Sequence, residues 1–293
     1  MKFSVVIPTK NRFEDLKETL EHLLVAIPET AEVIIVDQSE KTFKIAIEKL
    51  FKGKKTALKY HYKPTIHSLT EARDFGFKKT RFEIVLFLDD DITVQPDFFT
   101  ILSEAYRRYP NIDAFSAIDT TDENTSLLRF AGRMLFSLGP FWDERIFAYR
   151  FHKFLHKPIR TKKFSAGYMS LKRKVYEAIG FDLNLKGHVF IDDVDFTYRA
   201  SEQFNLALLP ELKAIHRQPK NLLYDIQEGE KKRVHGRLFF FQKHARKNIF
   251  NYLAFYWAIT GLFFSMILRC LFLHSTKPLQ GFIMGFSKAH HVK

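Results

Sequence analysis

The chain contains a single cysteine, Cys270, in 293 residues. An internal disulfide is therefore impossible, as is a zinc ribbon, and a reducing compartment is expected. The opening residues, Met1 to Pro8, lack the long apolar run of a secretory signal, so none is expected. No Walker A sequence, Gly-x-Gly-x-x-Gly or Gly-x-Ser-x-Gly occurs. Asp74-Phe75-Gly76 copies a kinase signature without the His-Arg-Asp loop that would give it meaning. No internal repeat is visible. Acidic residues are missing from two stretches: 145–174 carries ten Lys or Arg and 231–247 carries seven, with no Asp or Glu in either. The formal net charge of +13 therefore resides in two patches, and the rest of the chain nets −4. Such basicity points to nucleic acid, an acidic membrane surface or a polyanionic substrate such as a nucleotide diphosphate.

What is present is otherwise globular: 46% hydrophobic, 15% aromatic, with 32 Phe, which excludes a disordered or low-complexity chain. Short branched and aromatic runs at Phe3–Ile7, Val33–Val36, Leu58–Tyr62 and Ile84–Leu88 read as buried strands. Between them, Arg12–Ala26 places Leu16, Leu20, Leu23 and Leu24 on one helical face. Ser68–Lys79 opens with Ser68 and Glu71 at capping-box spacing, and Pro96–Tyr109 has proline in its first turn. The alternation predicts an α/β fold with a mostly parallel, Rossmann-like sheet flanked by helices. Beyond residue 110, strands at Ala114–Ile118 and Phe164–Leu171 mix with helices at Lys172–Ile179 and Asp192–Phe204. A basic helical segment, Leu222–Lys247, and an apolar one follow. In such sheets ligands collect beyond the carboxyl ends of the strands. Those ends here are polar: Pro8-Thr9-Lys10-Asn11-Arg12, Asp37-Gln38-Ser39 and Asp89-Asp90-Asp91.

Asp89-Asp90-Asp91 is the strongest local feature, three carboxylates where an apolar strand stops. Like charges this close resist joint ionisation unless a cation or solvent relieves them. Mg2+ or Mn2+, held by one or two carboxylates plus substrate phosphates, would do so. A solvated turn capping the helix at Pro96 is the plain alternative. A second acidic set, Asp192, Asp193 and Asp195, precedes Arg199. On a helix, Asp192 and Asp195 share a face, Asp195 reaches Arg199 at i+4, and Asp193 points elsewhere. Simple capping explains part of this acid, and a carboxylate at a helix start also suits a general base for a hydroxyl nucleophile.

Taken in order, Val5-Val6-Ile7-Pro8-Thr9-Lys10-Asn11-Arg12, Val36-Asp37-Gln38-Ser39, Leu69-Thr70-Glu71-Ala72-Arg73-Asp74-Phe75-Gly76 and Val85-Leu86-Phe87-Leu88-Asp89-Asp90-Asp91 resemble successive blocks of the family 2 glycosyltransferases with the GT-A fold. So do Ser165 to Arg173 around Gly167 and Tyr168, Gly180-Phe181-Asp182, Asp192 to Asp195 with Arg199, and His216. The resemblance implies an inverting, metal-dependent transfer of a sugar from a nucleotide diphosphate donor, UDP favoured, to a hydroxyl of a lipid-linked or cell-surface glycan. It implies that Pro8, Thr9 and Arg12 line the nucleotide pocket, that Asp37 holds the base, and that Arg73 sits near the diphosphate. Asp89 would meet the ribose, with Asp90 and Asp192 also in the donor site. Asp91 would bind Mn2+ or Mg2+ with His216, Gly167 and Tyr168 would border donor sugar and acceptor, and Asp193 would be the catalytic base. Three positions depart from the family pattern: Gln38 where Gly is common, Asp74 where Asn is common, and Asp192 in place of Glu. Asp74 would weaken phosphate binding unless it turns away.

The expected organisation is a catalytic domain over 1–220, with a nucleotide-sugar half to 110 and an acceptor half after it, followed by a membrane-associating region over 221–293. Residues 249–268 carry no charge, and as a helix they extend ~30 Å, about one hydrocarbon thickness. They could span the membrane, lie in its plane, or pack on the protein. A narrow polar stripe of Asn248, Asn251, Ser265 and Arg269 favours the last two. The expected site of action is the cytoplasmic membrane face, with an anionic surface as partner. The patch at 145–174 is expected to border the acceptor site. The alternative function is a non-catalytic, basic membrane-surface protein that keeps the fold. Nucleic acid is disfavoured, since no recognisable binding motif accompanies the charge.

Overall fold

The computed structural model of the chain describes residues 1–122, 126–185, 191–217 and 226–287. The chain forms two compact units, one of Met1–Asn124, Phe147–His188 and Asp192–Lys220, the other of Thr125–Ile146, Val189–Ile191 and Asn221–Lys293. In chain order the elements are β1 (Phe3–Thr9), α1 (Phe13–Ala26), β2 (Glu32–Asp37), α2 (Lys44–Phe51), β3 (Ala57–Tyr62), α3 (Leu69–Phe77), β4 (Ile84–Leu88), β5 (Ile92–Val94), α4 (Phe98–Arg108) and β6 (Ala114–Asp119). There follow α5 (Leu127–Leu135), α6 (Glu144–Phe151), β7 (Ile159–Arg160), β8 (Tyr168–Lys172), α7 (Arg173–Ile179), α8 (Asp192–Ser201), β9 (Leu206–His216), α9 (Ile226–His244), α10 (Ile249–Leu273) and α11 (Lys277–Ser287).

In the first unit the strands pair in the order β3-β2-β1-β4-β8-β6-β9-β5, with β7 added to β9. β3, β2, β1 and β4 are parallel, as the alternating pattern predicts. The rest of the sheet is mixed. β8 runs antiparallel to both β4 and β6, β6 and β9 are parallel, and β5 and β7 oppose β9. Both faces are covered, so the strands are apolar without alternation, and odd and even positions separate. Val5, Ile7, Val33, Ile35, Leu86 and Leu88 pack with Leu16, Leu20 and Leu23 of α1. Val6, Ile34, Val36, Val85 and Phe87 pack with Ala72 of α3, Val175 of α7 and Phe196 of α8. Each fully buried side chain of this size contributes roughly 1.5–3 kcal/mol. Ser68 caps α3 as its spacing predicts, its Oγ accepting from Glu71 N at 3.0 Å.

Three strands, β5, the two-residue β7 and β9, escape a reading of the sequence. β5 is three residues long, and β9 contains Pro210, which cannot donate to a ladder. The register against β6 jumps from Leu208 to Lys213, so Pro210 sits in an irregularity where no ladder bond is needed. Beyond it, β9 continues and pairs His216 with Ile92, the residue after Asp91.

The second unit joins α9, α10 and α11 to α5. α11 lies on α9 at Gly281 and Gly285, where an added Cβ would run into Gln227 O and Val234. The Gly-x-x-x-Gly pair thus serves packing within the chain. Val234, Met266 and Phe282 form a small core. Glu230, 1% exposed, pairs with Arg233 at 3.3 Å and with Arg269 near the end of α10. Trp257 Nε1 donates to Leu135 O at 2.8 Å, and the Phe136 and Trp257 rings lie 4.9 Å apart. These contacts group 125–146 with the C-terminal helices, whereas the sequence reading leaves that segment in the acceptor half.

Candidate active site

The carboxyl ends of β1, β2 and β4 place Thr9, Asp37 and Asp89 to Asp91 at one end of the sheet. The three aspartates have three environments. Asp89 accepts from Arg73 Nη2 at 2.7 Å. Asp90 is buried, with Thr9 Oγ1 donating to Oδ2 at 2.7 Å and Arg12 Nη1 on Oδ1 at 2.8 Å. Burial pushes the Asp90 carboxyl up to about 7 against the pull of Arg12, and the Asp91 charge adds to the rise. Asp91 takes Arg12 Nη2 at 2.9 Å and His216 Nε2 at 3.3 Å, both on Oδ2. Burial raises Asp91, but the His216 and Arg12 interactions outweigh it and hold the carboxyl below its ordinary value. The same hydrogen bond pushes the His216 imidazole up to about 9 despite its own burial. Asp91 Oδ1 is buried and has no hydrogen-bond partner among the described residues.

Arg12 is aimed by a turn through Asn11 at φ 56°, whose N donates to Ser39 Oγ at 2.8 Å, so the loops after β1 and β2 are stitched together. Arg217 secures the neighbouring strand end. Its N donates to Asp91 O at 2.9 Å, and its guanidinium reaches Thr93 Oγ1 at 2.7 Å and both Asp15 O and Thr19 Oγ1 at 2.8 Å. Thr19 in turn donates to Asp90 O at 2.8 Å. Sequence reasoning missed Arg217 and Thr19. The signal was a basic residue directly after His216 and a hydroxyl on the otherwise leucine-rich face of α1.

Arg73 of α3 is 2% exposed and forks between Asp89 and Asp192, with Nη1 to Asp192 Oδ2 at 2.9 Å. Burial disfavours its charge, but the two carboxylates more than restore it. Burial and the nearby Asp89 charge hold the Asp192 carboxyl above its ordinary value even beside Arg73. Gly167 sits against Asp89, with its O accepting from Asp89 N at 3.0 Å. A Cβ there would lie 2.7 Å from Asp89 Oδ2. Asp192 and Asp193 open α8, and Asp193 Oδ1 accepts from Val194 N at 2.7 Å. Asp195 is fully buried and takes Arg199 Nε and Nη2 at 2.9 and 2.8 Å, while Arg199 also holds Ile179 O and Gly180 O. The i+4 pair expected from the sequence therefore locks α8 to the end of α7 and sets where Asp193 stands. Asp74 is turned away, taken by Tyr176 OH at 3.1 Å and Lys78 Nζ at 2.7 Å.

The structure does not bring Asp37 and Tyr168 out to the same surface. Asp37 is fully buried, and its oxygens accept from Ser39 N at 2.9 Å, Phe43 N at 3.2 Å and the Tyr60 hydroxyl. Tyr168 is 2% exposed within the core and shares a hydrogen bond with Tyr149 at 3.1 Å. Pro8 is likewise internal to β1. In the basic stretch, Arg145, Lys162, Lys172, Arg173 and Lys174 each take a carboxylate partner, so these charges are occupied within the protein. A depression of about 530 Å³ lined by Met1, Lys2, Arg81 and Lys172 lies at the amino ends of β1 and β4 and holds none of the acidic set.

A sequence model of glycosyl transferase family 2 matches residues 4–180, well over half of the chain. The chain belongs to glycosyl transferase family 2. An uncharacterized glycosyltransferase of Haemophilus influenzae is 27% identical over 110 residues, a match covering 38% of this chain and 36% of that protein. The chain thus aligns with about a third of the length of that curated relative. Among solved structures, the mannosyltransferase PcManGT of Pyrobaculum calidifontis, in complex with GDP-Man and Mn2+, superposes with a TM-score of 0.64 at 16% identity, covering 99% of this chain and 87% of that one. TarS of S. aureus, in complex with UDP-GlcNAc, gives 0.60 at 16% identity, covering 99% and 80%. These likenesses show that the family 2 chain carries the GT-A fold.

A divalent ion fits the residues present. Among the described residues no three metal-ligating side chains converge, but Asp91 Oδ1 is a buried acceptor lacking a donor, next to His216. Two protein ligands completed by substrate phosphates and water is the usual arrangement for Mg2+ or Mn2+.

Proposed function

We propose that this chain is an inverting glycosyltransferase, moving a sugar from a nucleoside diphosphate donor to an acceptor hydroxyl. The observation that carries the reading is Asp91, with one oxygen held by Arg12 and His216 and the other buried without a partner. Asp91 and His216 would hold the metal, which when bound offsets charge on the diphosphate leaving group. Arg12 adds a fixed positive charge on the same side. Arg73 restrains Asp89 and Asp192, so the donor meets carboxylates already set in place. The acceptor oxygen attacks the anomeric carbon as the carbon–oxygen bond to the diphosphate breaks. The bonding pair leaves with the diphosphate, the acceptor proton passes to Asp193, and the anomeric centre inverts.

The donor is a uridine diphosphate sugar of the hexose type, and the acceptor a lipid-linked or cell-surface glycan. The GDP-Man and UDP-GlcNAc bound by the two structural neighbours support the nucleotide class, and the Mn2+ of the first supports a metal. Asp37 serves the base indirectly, by shaping the loop after β2 through Ser39 and Phe43. The work is done at the cytoplasmic membrane face, a reading supported by α10, whose apolar window has mean hydropathy 1.7 and is 11% buried. General-base catalysis is worth roughly 10²–10⁴-fold. Asp193→Ala is therefore expected to lose roughly that factor in kcat while keeping its melting temperature and donor KM, measured by release of nucleoside diphosphate. Near-wild-type turnover would remove Asp193 from the mechanism.

A further inference from the structure

The second unit leaves an apolar surface exposed, part of it on α5, within the family match over residues 4–180, and part on α10, beyond it. α5 buries none of its residues. Leu127, Leu128 and Leu135 are 68%, 81% and 57% exposed, with Ala131 on the same side. At 100° per residue these four fall within one arc, and Arg129 and Arg133 lie one turn apart outside it. Such a helix is polar on one side and apolar on the other without burying the apolar side in protein. α10 also turns an apolar face outward, while a second apolar face packs on the protein. Ala254, Phe255, Ala258 and Met266 face the protein, while Leu253, Tyr256, Phe264, Leu268 and Leu271 are 53–67% exposed at i, i+3 and i+4 spacing. The two helices are joined through Trp257 and Phe136.

Behind them lies a cluster of guanidinium groups. Arg237 of α9 stands over the Phe141 ring at 5.8 Å and, among the described residues, takes no carboxylate in an ion pair. Its surroundings are Arg233, Arg133 and Asp143, and Asp143 already holds Arg145 through two bonds of 2.9 and 2.8 Å. Burial first, and then the repulsion of Arg233 and Arg133, hold the Arg237 guanidinium below its ordinary value. Asp143 is engaged by Arg145, and Glu230 is shared between Arg233 and Arg269, so positive charge gathers beside an apolar surface, complementary to an anionic group carried on a lipid.

We propose that α5 and α10 together form an in-plane seat for an anionic phospholipid surface, with Arg133 and Arg237 receiving lipid phosphate. This inference rests on the membrane reading above and deepens it by adding a segment from the middle of the chain. The in-plane placement follows from α9. Its Val234 shares the small core with Met266 of α10, and it carries Lys231, Lys232, Arg233, Arg237 and Lys243, which are costly to take into hydrocarbon. Glu230 also ties Arg269 of α10 back to α9. Only the exposed face of α10 is left for lipid.

The test is flotation of the full chain with vesicles of phosphatidylcholine alone and with about 30 mol % phosphatidylglycerol. The wild type is expected to float with the anionic vesicles and to remain behind with the neutral ones. Leu127→Ser/Leu128→Ser, on residues too exposed to affect folding, is expected to weaken partitioning roughly ten-fold. Arg133→Gln/Arg237→Gln should weaken it roughly five-fold or more, about the worth of one arginine near such a surface, and Arg133→Lys/Arg237→Lys should restore most of it. Wild-type flotation with both loss variants unchanged would overturn the seat and leave α10 as the anchor. Failure of the wild type to float with either vesicle would overturn the membrane reading itself, and the seat with it.

Discussion

Asp89, Asp90 and Asp91 look interchangeable in the sequence and are not interchangeable in the fold. Asp89 is restrained by buried Arg73, Asp90 is enclosed between Thr9 and Arg12, and Asp91 keeps one acceptor unspent. Repulsion among the three was legible. The cationic side chains that relieve it were not, because Arg12 and Arg73 approach only after α1 and α3 have packed. Gly167 belongs to the same scale. Its backbone holds Asp89 N, and a methyl group there would press on a carboxylate already fixed by Arg73. Gly167→Ala is expected to raise the donor KM about ten-fold or more and to cost about 1–3 kcal/mol of stability through overpacking. Donor-saturation kinetics with chemical denaturation would check both. An unchanged KM would mean that the position of Asp89 does not matter to the donor. Asp37 is the residue whose surroundings were least legible, since its three donors come from the loop after β2 and from β3.

Among elements, the four parallel strands and the helices between them follow from period alone, because branched runs of five to seven residues bounded by polar ends have few other uses. β5 and β9 do not. A three-residue strand carries no period, and Pro210 argues against a strand until the irregularity at Leu208 to Lys213 shows where it fits. Yet the pairing of β5 with β9 is what delivers His216 to Asp91. Glu32 knits β2 to its neighbours: it accepts from Ser4 Oγ and Arg81 N, and it pairs with Lys59 at 2.8 Å and Arg81 at 3.1 Å. Burial alone would raise its carboxyl, but these partners hold it below the ordinary 4.5. Because the folded value is the lower one, the stabilisation from Glu32 is fully present above 4.5 and is lost as the pH falls through and below that value. Glu32→Gln should therefore cost about 1–3 kcal/mol at neutral pH and flatten the acid limb of a plot of melting temperature against pH. Identical slopes in the two proteins would show that the contacts of Glu32 carry no ionic stabilisation.

For the molecule as a whole, the charge of +13 divides between structure and surface. Part of the 145–174 patch is neutralised by carboxylates such as Asp113, which takes both Lys172 and Lys174. Arg237, among the described residues, takes no carboxylate, and it lies among exposed apolar helices. The sequence marks the apolar run at 249–268, but not that α5 joins it, because nine residues of an amphipathic helix look alike whether the apolar side meets a core or a lipid. The central proposal concerns the first unit: that Asp91, with His216, would hold a divalent ion completing the donor site. Isothermal titration of UDP into the full chain tests it most directly, with Mn2+ present, after EDTA dialysis, and in Asp91→Asn. The account predicts binding by the wild type with Mn2+, at least ten-fold weaker binding after EDTA, and equally weak binding by Asp91→Asn with or without the metal. UDP affinity unchanged by both EDTA and Asp91→Asn would contradict it.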